Sequence, residues 1–229
     1  MDKHLFFDLD ETLWDFERNS KEVVFDLFHE LRLESEVSVN FEQFFEAYKL
    51  INHQLWAKLR SGAIDKSYLR KNRFHFTLLK FGLNNLEKGI WLDEQYLERT
   101  PHKKGLIPYS IPVLNVLSRR YHLHIITNGF DDVQHFKLAN CGLSPFFKIV
   151  VTSDRAGTHK PDRAIFDFAM KSAGATPKNS IMIGDDPEVD IQGAMNAGMS
   201  AILYTGKSIY NEETMTSQVN CLSELLQIL

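Results

Sequence analysis

The apolar residues of this chain change their period twice, and that order of periods admits few folds. His4-Leu5-Phe6-Phe7-Asp8-Leu9 reads as a buried strand close to the N-terminus. From Asn19 to about Thr100 the spacing is helical: Val24, Leu27, Phe28 and Leu31, then Phe41, Phe44, Phe45, Tyr48, Ile51, Leu55 and Leu59, then Leu69, Phe76 and Leu79. Three or four antiparallel helices are expected there, ending near Gly62 and Gly82 and capped at Asp65 and Asn85. After Lys103-Lys104-Gly105, short apolar runs alternate with helical segments, the pattern of a parallel sheet covered on both faces. Strands are predicted at 123–127, 147–152, 180–184 and 201–204, the last clear one, with helices over about 110–121, 131–142, 161–173 and 188–197. The expected fold is therefore α/β: a three-layer core from residues 1–14 and 105–229, with a helical bundle at 15–104 inserted after the first strand.

Composition narrows the function. With a net charge of -4 the chain has no basic footprint, so neither a nucleic-acid polymer nor an anionic membrane is an expected partner. Cys141 and Cys221 are the only cysteines and lack metal-type spacing, which argues against a disulfide framework and fits a reducing cytoplasm. No run approaches 18 apolar residues, so no membrane span or signal peptide is expected.

In a parallel sheet, residues just past each strand gather at one edge. Here they are Asp8 and Asp10, Thr127-Asn128-Gly129, Lys160, and Gly184-Asp185-Asp186 with Asp190. Two unit charges about 4 Å apart at an effective dielectric of 20 interact by roughly 4 kcal/mol, so several carboxylates with one lysine need a cation to stay ionised together. Oxygen ligands without His or Cys favour Mg2+. Asp8 can then attack phosphorus, while Asp10 gives a proton to the leaving oxygen and lends its backbone carbonyl to the metal. Thr127, Asn128 and Gly129 offer a hydroxyl and backbone amides to phosphate near a helix N-terminus, and Lys160 neutralises Asp8 and the phosphoryl oxygens. Asp186 precedes Pro187 and suits a helix N-cap, and both it and Asp190, one turn on, are expected to support the metal from behind its direct ligands. His122 and His124 share a strand face without further ligands and are expected to be packed, and His102-Lys103-Lys104 to be a solvated hinge.

Asp8-Leu9-Asp10-Glu11-Thr12, Thr127-Asn128-Gly129, Lys160-Pro161 and Gly184-Asp185 with Asp190 resemble the four ordered motifs of the haloacid dehalogenase superfamily. The insert resembles that superfamily's first-class helical cap, and the resemblance implies a Rossmann-like core. Ile125-Ile126-Thr127-Asn128-Gly129-Phe130, Leu55-Trp56 with Ser61-Gly62-Ala63-Ile64, and Lys160-Pro161 with Ile165-Phe166-Asp167 are similar to its pyrimidine nucleoside 5′-monophosphatase branch. This implies a magnesium-dependent phosphatase with Asp8 as nucleophile, Asp10 as acid/base, Thr127 and Lys160 as phosphate stabilisers and Asp185 as a metal ligand. The expected partner is a small phosphorylated metabolite, a nucleoside monophosphate in the first instance. Trp14, Trp56, Arg60 and Arg73 are candidates to meet it. Rival readings are a phosphatase for phosphoglycolate or a sugar phosphate, a 2-haloacid dehalogenase, and a phospho-acceptor signalling module. Asp10 speaks against the last two, because carbon–halogen displacement has no alkoxide to protonate and a signalling acyl phosphate must last.

Overall fold

A computed structural model describes residues 3–206 and 217–229. The parts of the expected core at 1–2 and 207–216 lie outside them. The chain divides into two compact units, Met1–Phe16 with Lys104–Leu229, and Glu17–Lys103.

The first unit is built on a six-stranded sheet: β1 (His4–Phe7), β2 (His122–Thr127), β3 (Phe147–Thr152), β4 (Ser180–Gly184), β5 (Ser200–Tyr204) and β6 (Ser217–Val219). The order is β3-β2-β1-β4-β5-β6 and every pairing is parallel. β6 was not expected from the sequence, for three residues leave too short an alternation to read. β1 lies between β2 and β4, so the chain winds outward from it in both directions. The crevice at its C-terminal end is the switch point where open α/β sheets bind ligands.

In the second unit the helices are α1 (Phe16–Glu30, entered from the first unit), α2 (Leu33–Val37), α3 (Phe41–Arg60), α4 (Lys66–Lys80) and α5 (Leu86–Arg99). Asn40 caps α3 in a reciprocal box with Gln43, and Asp65 and Asn85 cap α4 and α5 as expected. Phe28, Phe41, Phe44, Phe45, Tyr48, Phe74 and Tyr96 fill this unit's interior. The buried face of α4 departs from the apolar spacing: Leu79 is exposed, while Arg73 and Thr77 are buried. The reason is an ion pair between Arg73 and Asp93 at 2.5 Å, with the Arg73 guanidinium 4.6 Å from the Tyr96 ring centroid.

The sheet is flanked by α6 (Ser110–Leu117), α7 (Asp131–Asn140), α8 (Ser153–Ala156), α9 (Arg163–Ala173), α10 (Gly193–Asn196) and α11 (Leu225–Ile228). Strand alternation sorts the core into two faces. Leu5, Phe7, Leu123 and Ile125 pack with Val113, Leu114, Leu138 and Leu225. Phe6, Ile126 and Met182 pack with Ile165, Phe166, Met170 and Ala194. Where the chain leaves and re-enters this unit it pairs with itself: Asp15 N–H donates to Gly105 at 3.1 Å and Ile107 N–H to Leu13 at 3.0 Å. No helix of the described residues is long and apolar enough to cross a membrane.

His4 joins His122 and His124 at the opposite, N-terminal end of β1 and β2. His4 Nδ1 and His124 Nε2 share one proton at 3.0 Å, and the two rings stack. Burial, then the neighbouring His4, His122 and Lys148, push His124 down to about 3. The unfolded chain therefore takes up a proton at this residue as pH falls below its ordinary 6.5, while the folded one does not. Stability should be full above pH 6.5 and drain away toward pH 3, by up to about 2 kcal/mol between pH 6.5 and 5. Urea midpoints followed across that range should fall less steeply in His124→Gln than in the parent protein.

Candidate active site

The site begins where β1 ends. Asp8 carries the ladder one residue further, its N–H donating to Ile183 at 2.9 Å. The chain then turns sharply: Leu13 and Trp14 N–H groups both donate to Leu9, and Glu11 sits at a φ of 65 in the left-handed region. This turn stands Thr12 inward, fully buried, with its hydroxyl donating to Asp185 at 2.9 Å.

Lys160 lies at the centre. Its ammonium donates to Asp8 at 2.5 Å, to Asp190 at 2.6 Å and to the Ile126 carbonyl at 2.9 Å, using all three protons. Asn128 clamps the Lys160 backbone, accepting from its N–H at 2.7 Å and donating to its carbonyl at 3.0 Å. Asp190 sits in a π-helical stretch, Pro187–Gln192, which Asp186 caps by accepting from the Glu188 and Val189 N–H groups. Asp186 thus has the helix-capping part expected of it. Gly184 makes room for the arrangement, since a Cβ there would overlap the Asp190 carboxylate.

Burial pushes Asp8 up to about 7 despite Lys160, with Asp190 and Asp10 adding repulsion. Burial, then Asp190 and Asp8, also hold Asp185 well above the usual carboxylate range. Burial disfavours the Lys160 charge, but Asp190 and Asp8 outweigh it and keep the ammonium charged. Asp8, Asp185 and Asp190 bring ligand oxygens within 4.8 Å of one another. Buried carboxylates in excess of the ammonium beside them fit a hard divalent cation, and oxygen donors alone fit magnesium. The Asp10 carboxylate lies outside this group, which leaves its backbone carbonyl as what it can offer a metal.

Asp10 is held from α7. Lys137 Nζ donates to one of its oxygens and Gln134 Nε2 to the other, each at 2.7 Å. Gln134 also donates to the Thr127 hydroxyl at 2.8 Å. A Cβ on Gly129 would overlap this amide, so the glycine lets the Gln134 side chain pass. Gln134 and Lys137 were not anticipated from the sequence. The available signal was their three-residue spacing on the helix after Thr127-Asn128-Gly129, which places both on one face.

Several expectations change. The Gly129 N–H donates to the Thr127 hydroxyl at 3.1 Å instead of standing open to phosphate. Asp131 is the first residue of α7, whose N-cap is Phe130, and accepts from Thr152 at 2.7 Å. The Trp14 ring is completely buried and covered by the Lys137 ammonium 4.0 Å from its centroid, so no base can stack there. Arg73 is likewise committed inside the helical unit, only 3% exposed and paired with Asp93, as part of that unit's packing. Trp56 and Arg60 are half-buried, one turn apart on α3.

These features define a class, and comparison with known proteins agrees: the chain belongs to the haloacid dehalogenase-like hydrolases, whose family description matches residues 3–198. Its fold and aspartate cluster are those of a magnesium-dependent phosphatase. It is 31% identical over 228 residues to the pyrimidine 5′-nucleotidase YjjG of Escherichia coli, covering 98% of this chain and 96% of that one. It is 30% identical over 231 residues to the pyrimidine 5′-nucleotidase PynA of Streptococcus pneumoniae, covering 99% and 94%. Among solved structures, the magnesium-bound HAD-hydrolase YfnB of Bacillus subtilis matches with a TM-score of 0.90 at 25% identity, covering 100% of this chain and 98% of that one.

Lys160→Met leaves two buried carboxylates without their counter-charge. In EDTA at pH 8 it should lower the unfolding free energy by about 3–5 kcal/mol, read from urea denaturation. The deficit should shrink toward pH 5, where Asp8, one of the two, can take up a proton instead.

Proposed function

We propose that the chain hydrolyses nucleoside 5′-monophosphates, pyrimidine ones by preference, through an aspartyl phosphate on Asp8. The observation that carries the chemistry is the separation of two aspartates two residues apart onto different cations: Asp8 on Lys160 and Asp10 on Lys137. Neighbouring carboxylates in distinct environments can take distinct parts in one reaction.

Asp8 attacks phosphorus with an oxygen, and the bond to the leaving oxygen breaks as Asp10 supplies a proton to it. Lys160 balances the charge on Asp8 and on the phosphoryl oxygens, and the Thr127 hydroxyl steadies the same group. Water then attacks the acyl phosphate, its proton passes to Asp10, and the Asp8–phosphorus bond opens to release phosphate. Magnesium bound by Asp8, Asp185 and the Asp10 carbonyl, with Asp190 in support, would neutralise the carboxylates and polarise a phosphoryl oxygen.

Similarity to two pyrimidine 5′-nucleotidases over nearly the whole chain supports the substrate class. Phosphoglycolate or a sugar phosphate is the second reading, because the core residues meet the phosphate and leave the rest of the substrate to other contacts. Trp56 and Arg60 are our candidates for those contacts. Cys141 and Cys221 are thiols not joined in a disulfide, which suits a cytoplasmic setting.

Turnover of p-nitrophenyl phosphate should stop on chelation and return with magnesium. Asp8→Asn should lose at least about a thousandfold in kcat, the scale on which removal of a nucleophile acts. Across a panel of UMP, dUMP, TMP, AMP, GMP, phosphoglycolate and glucose 6-phosphate, kcat/KM should favour the pyrimidine nucleotides by about tenfold or more, a difference of about 1.4 kcal/mol in transition-state binding. Higher values for a non-nucleotide would refute the assignment.

A further inference from the structure

We propose that Lys137 and Gln134 are positioning residues for Asp10, holding its carboxylate toward the leaving oxygen, with the buried Trp14 ring as the platform under Lys137. The proposal rests on the acid/base part assigned to Asp10 above. Both side chains are buried, with Gln134 wholly so. They come from one face of α7 and engage one Asp10 oxygen each at 2.7 Å, so the carboxylate plane is held at two points and cannot turn without losing one of them.

Three observations show that the arrangement is built for Asp10. Gln134 directs its NH2 to Asp10 and Thr127, while its own buried Oε1 has no hydrogen-bond partner. Turning the amide over would aim that oxygen at the carboxylate, so the bond to Asp10 is kept at the expense of a good acceptor. Gly129 is bare where a methyl group would push Gln134 aside. Lys137 lies over Trp14 at 4.0 Å and within 5.8 Å of the Phe16 centroid, and those rings hold the desolvated ammonium in place between them and Asp10. Trp14 is tied in turn to the catalytic turn, donating from its N–H to Leu9 at 2.8 Å and accepting from Glu11 N–H at 2.8 Å.

As the phosphorus–oxygen bond breaks, the proton passes from Asp10 to the leaving oxygen, and the carboxylate left behind stays between Lys137 and Gln134. Positioning of this kind matters most for leaving groups that cannot depart as anions. An alkoxide such as a nucleoside 5′-oxygen needs the proton; p-nitrophenolate does not.

The test compares kcat for a nucleoside monophosphate and for p-nitrophenyl phosphate in Lys137→Met, Lys137→Arg, Gln134→Ala and Asp10→Asn. Lys137→Met and Gln134→Ala should each lose at least tenfold more on the nucleotide than on the aryl ester, with KM changing little. Lys137→Arg should recover part of the loss, because it restores a cation between Asp10 and Trp14. Equal losses on both substrates in the two variants, or Lys137→Arg no better than Lys137→Met, would overturn the proposal. If Lys137→Met does not fold, Gln134→Ala decides by the same ratio. Asp10→Asn separates the two levels of argument. If it too shows no dependence on the leaving group, the acid part of Asp10 itself is wrong; if it shows one and the α7 variants do not, only the positioning is wrong.

Discussion

Everything at the active edge depends on one ammonium group kept charged where water is excluded. An unpaired lysine at this depth would lose its proton, and an unpaired cluster of carboxylates would gain one. Lys160 and the aspartates prevent both outcomes for each other, but the balance is incomplete: Asp8, Asp185 and Asp190 surround a single cation, and Asp8 and Asp185 remain raised above the ordinary carboxylate range. The residual negative charge is what gives the site its demand for a hard divalent cation. A site that filled its own deficit with a second buried lysine in the cluster would have no such demand.

The second lysine exists, and it stands elsewhere. Lys137 pairs with Asp10, two residues beyond Asp8, with Trp14 beneath it. A turn of a few residues thus carries two carboxylates in two electrostatic settings. Just past Asp10, the left-handed backbone at Glu11 and the Thr12 hydroxyl bonded to Asp185 fix the turn that carries the chain away from the site. Glycines appear where side chains must cross the backbone, Gly129 under Gln134 and Gly184 under Asp190.

Legibility varied with the range of the interaction. Strand runs, the helical insert and the caps at Asp65 and Asn85 could be read because each is a local pattern of polarity or a local hydrogen bond. Asp8, Asp10, Thr127, Lys160 and Asp185 could be nominated together because parallel strands deliver their C-terminal residues to one edge. Trp14 and Arg73 misled for a shared reason: an aromatic ring or a guanidinium beside a site looks the same in sequence whether it faces a ligand or another side chain. In both cases the partner, Lys137 or Asp93, lies on a different element. Leu79 shows the same limit in packing, since the Arg73–Asp93 pair turned α4 away from the face its apolar spacing suggested.

By itself, then, the amino-acid sequence determined the period of each segment, the order in which strands and helices follow, and which chemical groups arrive at the strand ends. These are properties of neighbours along the chain, governed by backbone geometry and by burial of alternating side chains. Only the tertiary structure decided which of those groups share a charge, which glycine lies under which side chain, and that Gln134 and Lys137 on α7 hold Asp10. The bonds from Gln134 and Lys137 to Asp10 and from Lys160 to Asp8 join residues more than a hundred positions apart, and none of these contacts is recorded by a local periodicity.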